Sequence, residues 1–233
     1  MMNDSIKLDL NFDPEHLNSN LDICLKEQWK NHFNERDYSG NWAAISLRSQ
    51  TGKPEDILAH NINSPFKDTS LLLKCNYFNL ILNQMKFEKE SVRLLRLKPE
   101  SVVKEHRDMG LAYRFGCFRL HIPITTDASV EFMVGGKNIQ MKKGECWYAD
   151  FDLPHSVSNK SEQERIHLVI DGKRNEWTDK LFTTSGYDIE EEKRVKDYPL
   201  ETKKQMLEHL RLMKTDAANE IIKKLEGEIG NYY

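Results

Sequence analysis

The period of the apolar positions changes twice along this chain, and the changes divide it into three stretches. Near the start, Leu17, Leu21, Cys24, Leu25, Gln28, Trp29 and Phe33 recur at helical spacing behind Asp13-Pro14-Glu15. Asp13 is placed to cap that helix and Pro14 to occupy its first position, and the stripe predicts a helix to about Phe33. Gly40 closes the region. Trp42 to Arg48 has strand character and runs into a turn-like Ser49-Gln50-Thr51-Gly52-Lys53-Pro54. Glu55 to Phe66 reads as loop. From Ser70 to about Gln84, Leu71, Leu72, Cys75, Phe78, Ile81, Leu82 and Met85 predict a second, largely buried helix.

At Ser91 the period shortens. Strand-like runs recur between turns: Val92 to Lys98, Val102 to Glu105, Gly116 to Ile124, Ser129 to Val134, Lys137 to Met141, Glu145 to Ala149, Val157 to Asn159 and Arg165 to Asp171. Gly135-Gly136 is a two-residue hairpin signal, because both central positions tolerate positive φ. About seven or eight short strands in succession suggest a barrel or jelly roll rather than a doubly wound fold. Past Trp177 the helical period returns, over roughly Leu200 to Met213 and Ala217 to Glu226. The expectation is an α+β fold, a double-stranded β-helix (jelly-roll, cupin-like) core flanked by N- and C-terminal helices. It is taken as one domain: 1–90 as support and substrate region, 91–172 as the core with the metal site, and 173–233 as a helical extension.

Composition narrows the function classes. Of 233 residues, 39% are hydrophobic and 30% charged, the balance of an ordinary globular protein. A net charge of −3 gives no electrostatic case for nucleic acid or an anionic membrane surface. No apolar run approaches the length of a membrane span. Met1-Met2-Asn3-Asp4 shows no signal-peptide pattern, and Cys24, Cys75, Cys117 and Cys146 form no paired motif, so reduced, buried thiols and a cytoplasmic location are expected.

The chemistry is carried by Lys104-Glu105-His106-Arg107-Asp108 together with Asp152-Leu153-Pro154-His155. On an extended strand His106 and Asp108 leave the same face. With His155 they make two imidazoles and a carboxylate, the facial triad used by non-haem iron(II). Alone, His-x-Asp is a weak signal and reads equally as a His beside a turn. Alternation also places Arg119 and His121 on one face of their strand, and Arg165, His167 and Val169 on one face of theirs. Cations inside a barrel need an anion, and a dicarboxylate gripped by Arg would supply it. Solvent-facing arginines are the plain alternative.

Several motifs in one order now carry a resemblance: His106-Arg107-Asp108, Arg119-Leu120-His121-Ile122-Pro123, Gly144-Glu145-Cys146-Trp147, and Pro154-His155 followed ten residues on by Arg165. From about Arg93 to Asp171 the chain resembles the aspartyl/asparaginyl β-hydroxylase family of iron(II)- and 2-oxoglutarate-dependent oxygenases. It is closest to the L-proline cis-4-hydroxylase-like branch, which shares Leu47-Arg48-Ser49-Gln50-Thr51-Gly52-Lys53 in pattern. The resemblance implies that His106, Asp108 and His155 hold Fe(II) and that Arg165 pairs with the distal carboxylate of 2-oxoglutarate. It places Arg119 and His121 at further cosubstrate contacts. Asp108 departs from the vertebrate peptidyl members, which have a small residue there, and argues against halogenation. Leu95 stands where those enzymes have a cosubstrate-touching serine. With O2 as second cosubstrate, such a site couples decarboxylation of 2-oxoglutarate to succinate with C–H hydroxylation.

The substrate is less legible. Trp42 and Arg48 are the candidates, an apolar ring wall and a carboxylate holder, with Arg96 and Arg114 behind them. His16, His32, His60 and His209 read as surface residues, His167 as a neighbour rather than a ligand, and Glu190 to Arg194 as a solvated face. A free amino acid or similar small molecule is expected. The alternatives are an aspartyl, asparaginyl or other residue in a peptide or carrier-bound amino acid, a non-catalytic cupin-like metal or small-acid binding module, and a zinc hydrolase using the same three ligands.

Overall fold

Alternation begins earlier than expected. In Ser-Ile-Lys-Leu-Asp-Leu-Asn, strand β1 (Ser5–Asn11), Ile6 and Leu8 are buried while Lys7 and Asp9 face solvent. The computed structural model describes residues 3–59, 65–194, 198, 200–213 and 216–230; His60 and part of the expected 55–66 loop lie outside them.

Helix α1 (Pro14–Cys24) starts as anticipated, with the Asp13 carboxylate accepting from the amides of Glu15 and His16. It stops nine residues short of Phe33. The Trp29 indole donates to the Cys24 carbonyl at 2.9 Å, and the chain then pairs as β2 (Lys30–Asn31) rather than continuing the helix. A 3₁₀ turn precedes α2 (Asn76–Gln84), whose N-terminal amides at Tyr77 and Phe78 are met by the side-chain oxygen of Asn20 on α1.

Two antiparallel sheets follow. The larger has the order β1, β11 (Glu145–Ala149), β8 (Cys117–Thr125), β13 (Arg165–Lys173), β6 (Lys89–Leu97), β4 (Trp42–Ser49) and β2, with β5 (Lys67–Asp68) on β4. The smaller runs β10 (Lys137–Asn138), β9 (Val130–Val134), β12 (His155–Asn159), β7 (Val102–His106) and β3 (Tyr38–Ser39). Gly135 and Gly136 join β9 to β10 at φ +55° and +79°, but that last strand is only two residues long. Leu97 and Ala149 of the large sheet pack with Val103, Val130, Phe132, Val134 and Val157 of the small one, so the core lies between the sheets. This is a jelly-roll core with helices on one flank. The cysteines are free, three buried and Cys117 only partly so.

Helix α3 (Glu176–Thr184), with an Asn175/Thr178 capping box, sets Phe182 flat against Tyr113 at 3.8 Å between ring centres. Phe118 and Tyr148 complete that aromatic cluster. The described chain divides into two compact units, Met1–Asp188 and Ile189–Tyr233. In the second, α4 (Ile189–Arg194), α5 (Leu200–Met213) and α6 (Asp216–Gly230) bury Leu207 and Leu225, and Arg211 pairs with Glu226 at 2.7 Å. Among the described residues no helix is long and apolar enough to cross a membrane.

Phe182 is fully buried. Phe182→Ala is expected to destabilise the first unit by about 3–5 kcal/mol, read as a lowered urea midpoint at unchanged slope.

Candidate metal centre and its anion cradle

The pairing of β7 with β12 sets His106 directly opposite His155, with ring centres 4.2 Å apart. The strand ends at His106, so Asp108 sits just beyond it rather than on it. Its amide donates to the Phe151 carbonyl at 2.9 Å, which brings the carboxylate back beside the two rings. One potential ligand atom from each residue lies within 4.8 Å of the others. Each His Nδ1 faces a carbonyl two residues earlier, Lys104 at 2.8 Å and Leu153 at 3.0 Å. Carbonyls only accept, so both Nδ1 carry hydrogen and both Nε2 lone pairs are free to ligate. Burial pushes the His155 imidazole down to about 4, which keeps it neutral at physiological pH. Burial opposes the Asp108 charge, but the Arg119 guanidinium outweighs it, and its pKa lies below the usual carboxylate value. Two imidazoles presenting Nε2 and one carboxylate suit a divalent transition metal.

The loops bearing these ligands are stapled together. Arg114 reaches Asp150 and, at 2.7 Å, Asp152, while Asp152 also accepts from the Gly110 amide at 3.0 Å. Arg114, a weaker substrate candidate from sequence, is thus spent on this clamp, and Arg96 stacks on Trp29 outside the cavity.

Beside the triad lies a cavity of about 290 Å³, walled by Trp42, Leu95, Phe132, Phe151 and Val157 among others, with Arg93, Arg119, His121 and Arg165 supplying polar groups. Arg165, His167, Val169 and Asp171 share the inner face of β13, buried as alternation required. Arg165 donates to His167 Nδ1 at 2.9 Å. That nitrogen therefore accepts, and the contact of His121 Nδ1 with it at 3.3 Å assigns the intervening hydrogen to His121. Burial, with Arg165 next, drives both imidazoles well below their ordinary pKa, and burial alone lowers Arg165 to about 9. Arg165 Nε, His121 Nε2 and His167 Nε2 are buried without a protein partner. A buried guanidinium with an unmet donor, facing a cavity, fits a carboxylate-bearing ligand.

Arg119 lines the cavity with protein partners of its own. Its guanidinium is already engaged, with Asp108 at 2.6 Å and with Asp171 at 2.6 and 3.1 Å. Arg48 is not brought to the cavity. A register shift between Ser46 and Arg48 turns it toward Asp68 and the Lys89 carbonyl, with which it bonds. Trp42 does line the cavity, and His32, read from sequence as a surface residue, stacks on it at 3.7 Å and 15°. Sequence reasoning also missed Arg93 and Asp171. The parity of Arg165, His167 and Asp171 on one strand was the available signal for Asp171.

The jelly roll with this His-x-Asp…His cluster between its sheets is of the cupin-like type. The aspartyl/asparaginyl beta-hydroxylase family model matches residues 15–175, and the chain belongs to that family. L-proline cis-4-hydroxylase of Rhizobium meliloti (strain 1021) is 31% identical over 136 residues, covering 57% of this chain and 48% of the relative. The match thus spans about half that relative's length. A 2OG-Fe(II) oxygenase family oxidoreductase from Burkholderia pseudomallei superposes with TM-score 0.52 at 14% identity, covering 74% of this chain and 86% of that one. HygX from Streptomyces hygroscopicus, solved with nickel and 2-oxoglutarate bound, gives 0.50 at 7% identity, covering 75% and 84%. At such identities the structural likeness is one of fold.

His121 and His167 are held neutral in the folded chain but bind protons near the ordinary imidazole value of 6.5 when unfolded. Their contribution to stability is complete above pH 6.5 and is lost as pH falls below it. Urea unfolding of metal-free protein between pH 7 and 5, above the main carboxylate range, should show declining stability; a flat profile would contradict the neutral assignment.

Proposed function

We propose that this chain is an iron(II)- and 2-oxoglutarate-dependent hydroxylase of a free amino acid. The observation that carries the reading is the triad of His106, Asp108 and His155, with both imidazoles pre-set to offer Nε2 beside a cavity. Family membership and the name of the proline hydroxylase relative support it. His106, Asp108 and His155 would hold the iron, and the Arg165 guanidinium would grip the far carboxylate of 2-oxoglutarate. With 2-oxoglutarate and oxygen, the bound metal supplies the oxidising chemistry, in which decarboxylation to succinate accompanies hydroxylation of a C–H bond.

The residues of the chain do the rest. The Nδ1–H bonds to Lys104 and Leu153 hold the two rings in one tautomer and orientation. His167 accepts from Arg165 Nη2 and so holds the guanidinium at the cavity wall, where it would meet the ligand. Phe132 and Phe151 exclude water around these charges, and the stacked Trp42 and His32 offer a flat wall for a substrate ring or methylene face. At about 290 Å³ the cavity sits at the lower end of the roughly 300–1,000 Å³ range of ligand pockets, which favours a small substrate over a peptide.

Anaerobically purified, iron-loaded protein should form succinate from 2-oxoglutarate in the presence of one member of a free amino-acid panel, and that amino acid should gain one oxygen by mass. Asp108→Ala should abolish both. Succinate without a hydroxylated amino acid would move the search to peptidyl or carrier-bound substrates, and no turnover by folded, metal-loaded protein would refute the oxygenase reading. Arg165→Met should raise the 2-oxoglutarate requirement by about 10- to 100-fold, the worth of a charged hydrogen bond of roughly 1.5–3 kcal/mol, while leaving metal affinity intact.

A further inference from the structure

Among the cavity cations Arg119 has the least freedom. Its Nε and Nη2 form a fork on the two oxygens of Asp171, at 2.6 and 3.1 Å. Asp171 is itself buried and fixed by the Ser91 hydroxyl at 2.8 Å and by Arg93 Nη2 at 3.2 Å. A guanidinium held through one edge has a determined direction for its remaining corner. That corner, Nη1, points at Asp108 Oδ2, 2.6 Å away. The other oxygen of Asp108 lies on the opposite side, 3.8 Å from His106 Nε2. Asp108 is therefore divided, with one oxygen committed to the guanidinium and one turned toward the imidazoles.

We propose that Arg119 is a positioning residue that keeps Asp108 a one-oxygen ligand, with Asp171 as the anchor that aims it. The inference rests on the metal site proposed above. Its consequence is the number of open coordination positions. Three single-atom protein ligands leave one face of an octahedron free, enough for a chelating oxo acid and a third small ligand. A carboxylate free to rotate and bind through both oxygens would occupy one of those positions. The structure thus assigns to Arg119 a task on the protein ligand, in place of the cosubstrate contact that resemblance implied. Asp171 touches none of the three ligands, so its role is exerted wholly through Arg119.

Cobalt(II) is a suitable probe, because its ligand-field absorption reports coordination number without turnover. Metal-free native protein, Arg119→Met, Arg119→Lys, Asp171→Asn and His155→Ala would each be titrated with Co2+ in the absence of 2-oxoglutarate. 2-Oxoglutarate affinity would then be measured on each loaded protein. Native protein should bind Co2+, and His155→Ala should lose most of that affinity. Arg119→Met and Asp171→Asn should bind Co2+ within about tenfold of native but with an altered absorption spectrum, and both should hold 2-oxoglutarate more weakly. Arg119→Lys, which keeps one donor for Oδ2, should lie nearer the native spectrum. Native-like spectra in Arg119→Met and Asp171→Asn, with 2-oxoglutarate affinity lost only in the former, would make Arg119 a cosubstrate contact and overturn the proposal. If Arg119→Met fails to fold by circular dichroism, a native-like spectrum in Asp171→Asn overturns it alone. Co2+ binding absent from native protein, or undiminished in His155→Ala, would refute the metal site itself, and the inference with it.

Discussion

A buried carboxylate, Asp171, is the constraint on which the interior of this fold depends. Three guanidinium groups line the cavity on inner strand faces, Arg93 and Arg165 buried and Arg119 largely so. Burial works against the charge of each. Asp171 meets two of them, and with Asp108 it raises Arg119 above the ordinary Arg value despite that burial. The Asp171 carboxyl, which burial alone would push up, is in turn held below its usual range by Arg119 and Arg93. An isolated charge here would cost several kcal/mol, so the cluster stands or falls together. Arg165 has no such protein anion, and burial lowers its pKa to about 9. The interior is therefore balanced on one side and left asking for an anion on the other.

The same economy of placement governs the triad. Antiparallel register puts His106 across from His155, and the clamp of Arg114 on Asp150 and Asp152 ties the segment that follows β7 to the loop that leads into β12. Neither imidazole is free to rotate, because its Nδ1 hydrogen is already committed to backbone. Such preorganisation would let a metal bind without these side chains first being ordered. Membership of the aspartyl/asparaginyl β-hydroxylase family accords with this arrangement.

Which side chains reach the cavity follows from position along strands rather than from residue type. Trp42 and Arg48 lie on one strand, six residues and roughly 20 Å apart at about 3.3 Å per residue, so they could not both face a cavity of this size. The bulge at Arg48 sends it to Asp68. His32 reaches the cavity because the chain abandons α1 at Cys24 and pairs with β4, which carries Trp42.

What the sequence by itself determined was whatever local period and local chemistry can specify. The alternating runs from Val92 to Asp171 (Lys137 to Met141 shortened to Lys137–Asn138), the Asp13-Pro14 helix start, the Gly135-Gly136 turn and the inward parity of Arg165 and His167 appear where they were read, because strand alternation and positive φ are properties of neighbouring residues. The grouping of His106, Asp108 and His155 was legible through the family pattern rather than through strand parity, because Asp108 lies past the end of β7 and is brought back by its bond to Phe151. The tertiary structure decided where α1 ends, since Trp29 and the pairing of Lys30–Asn31 with β4 override a helical stripe. It decided that Arg48 leaves the site and His32 enters it. It also decided that Arg119 serves Asp108, because which anion a buried cation meets depends on strands fifty residues apart in sequence coming into register, Asp171 opposite Arg119.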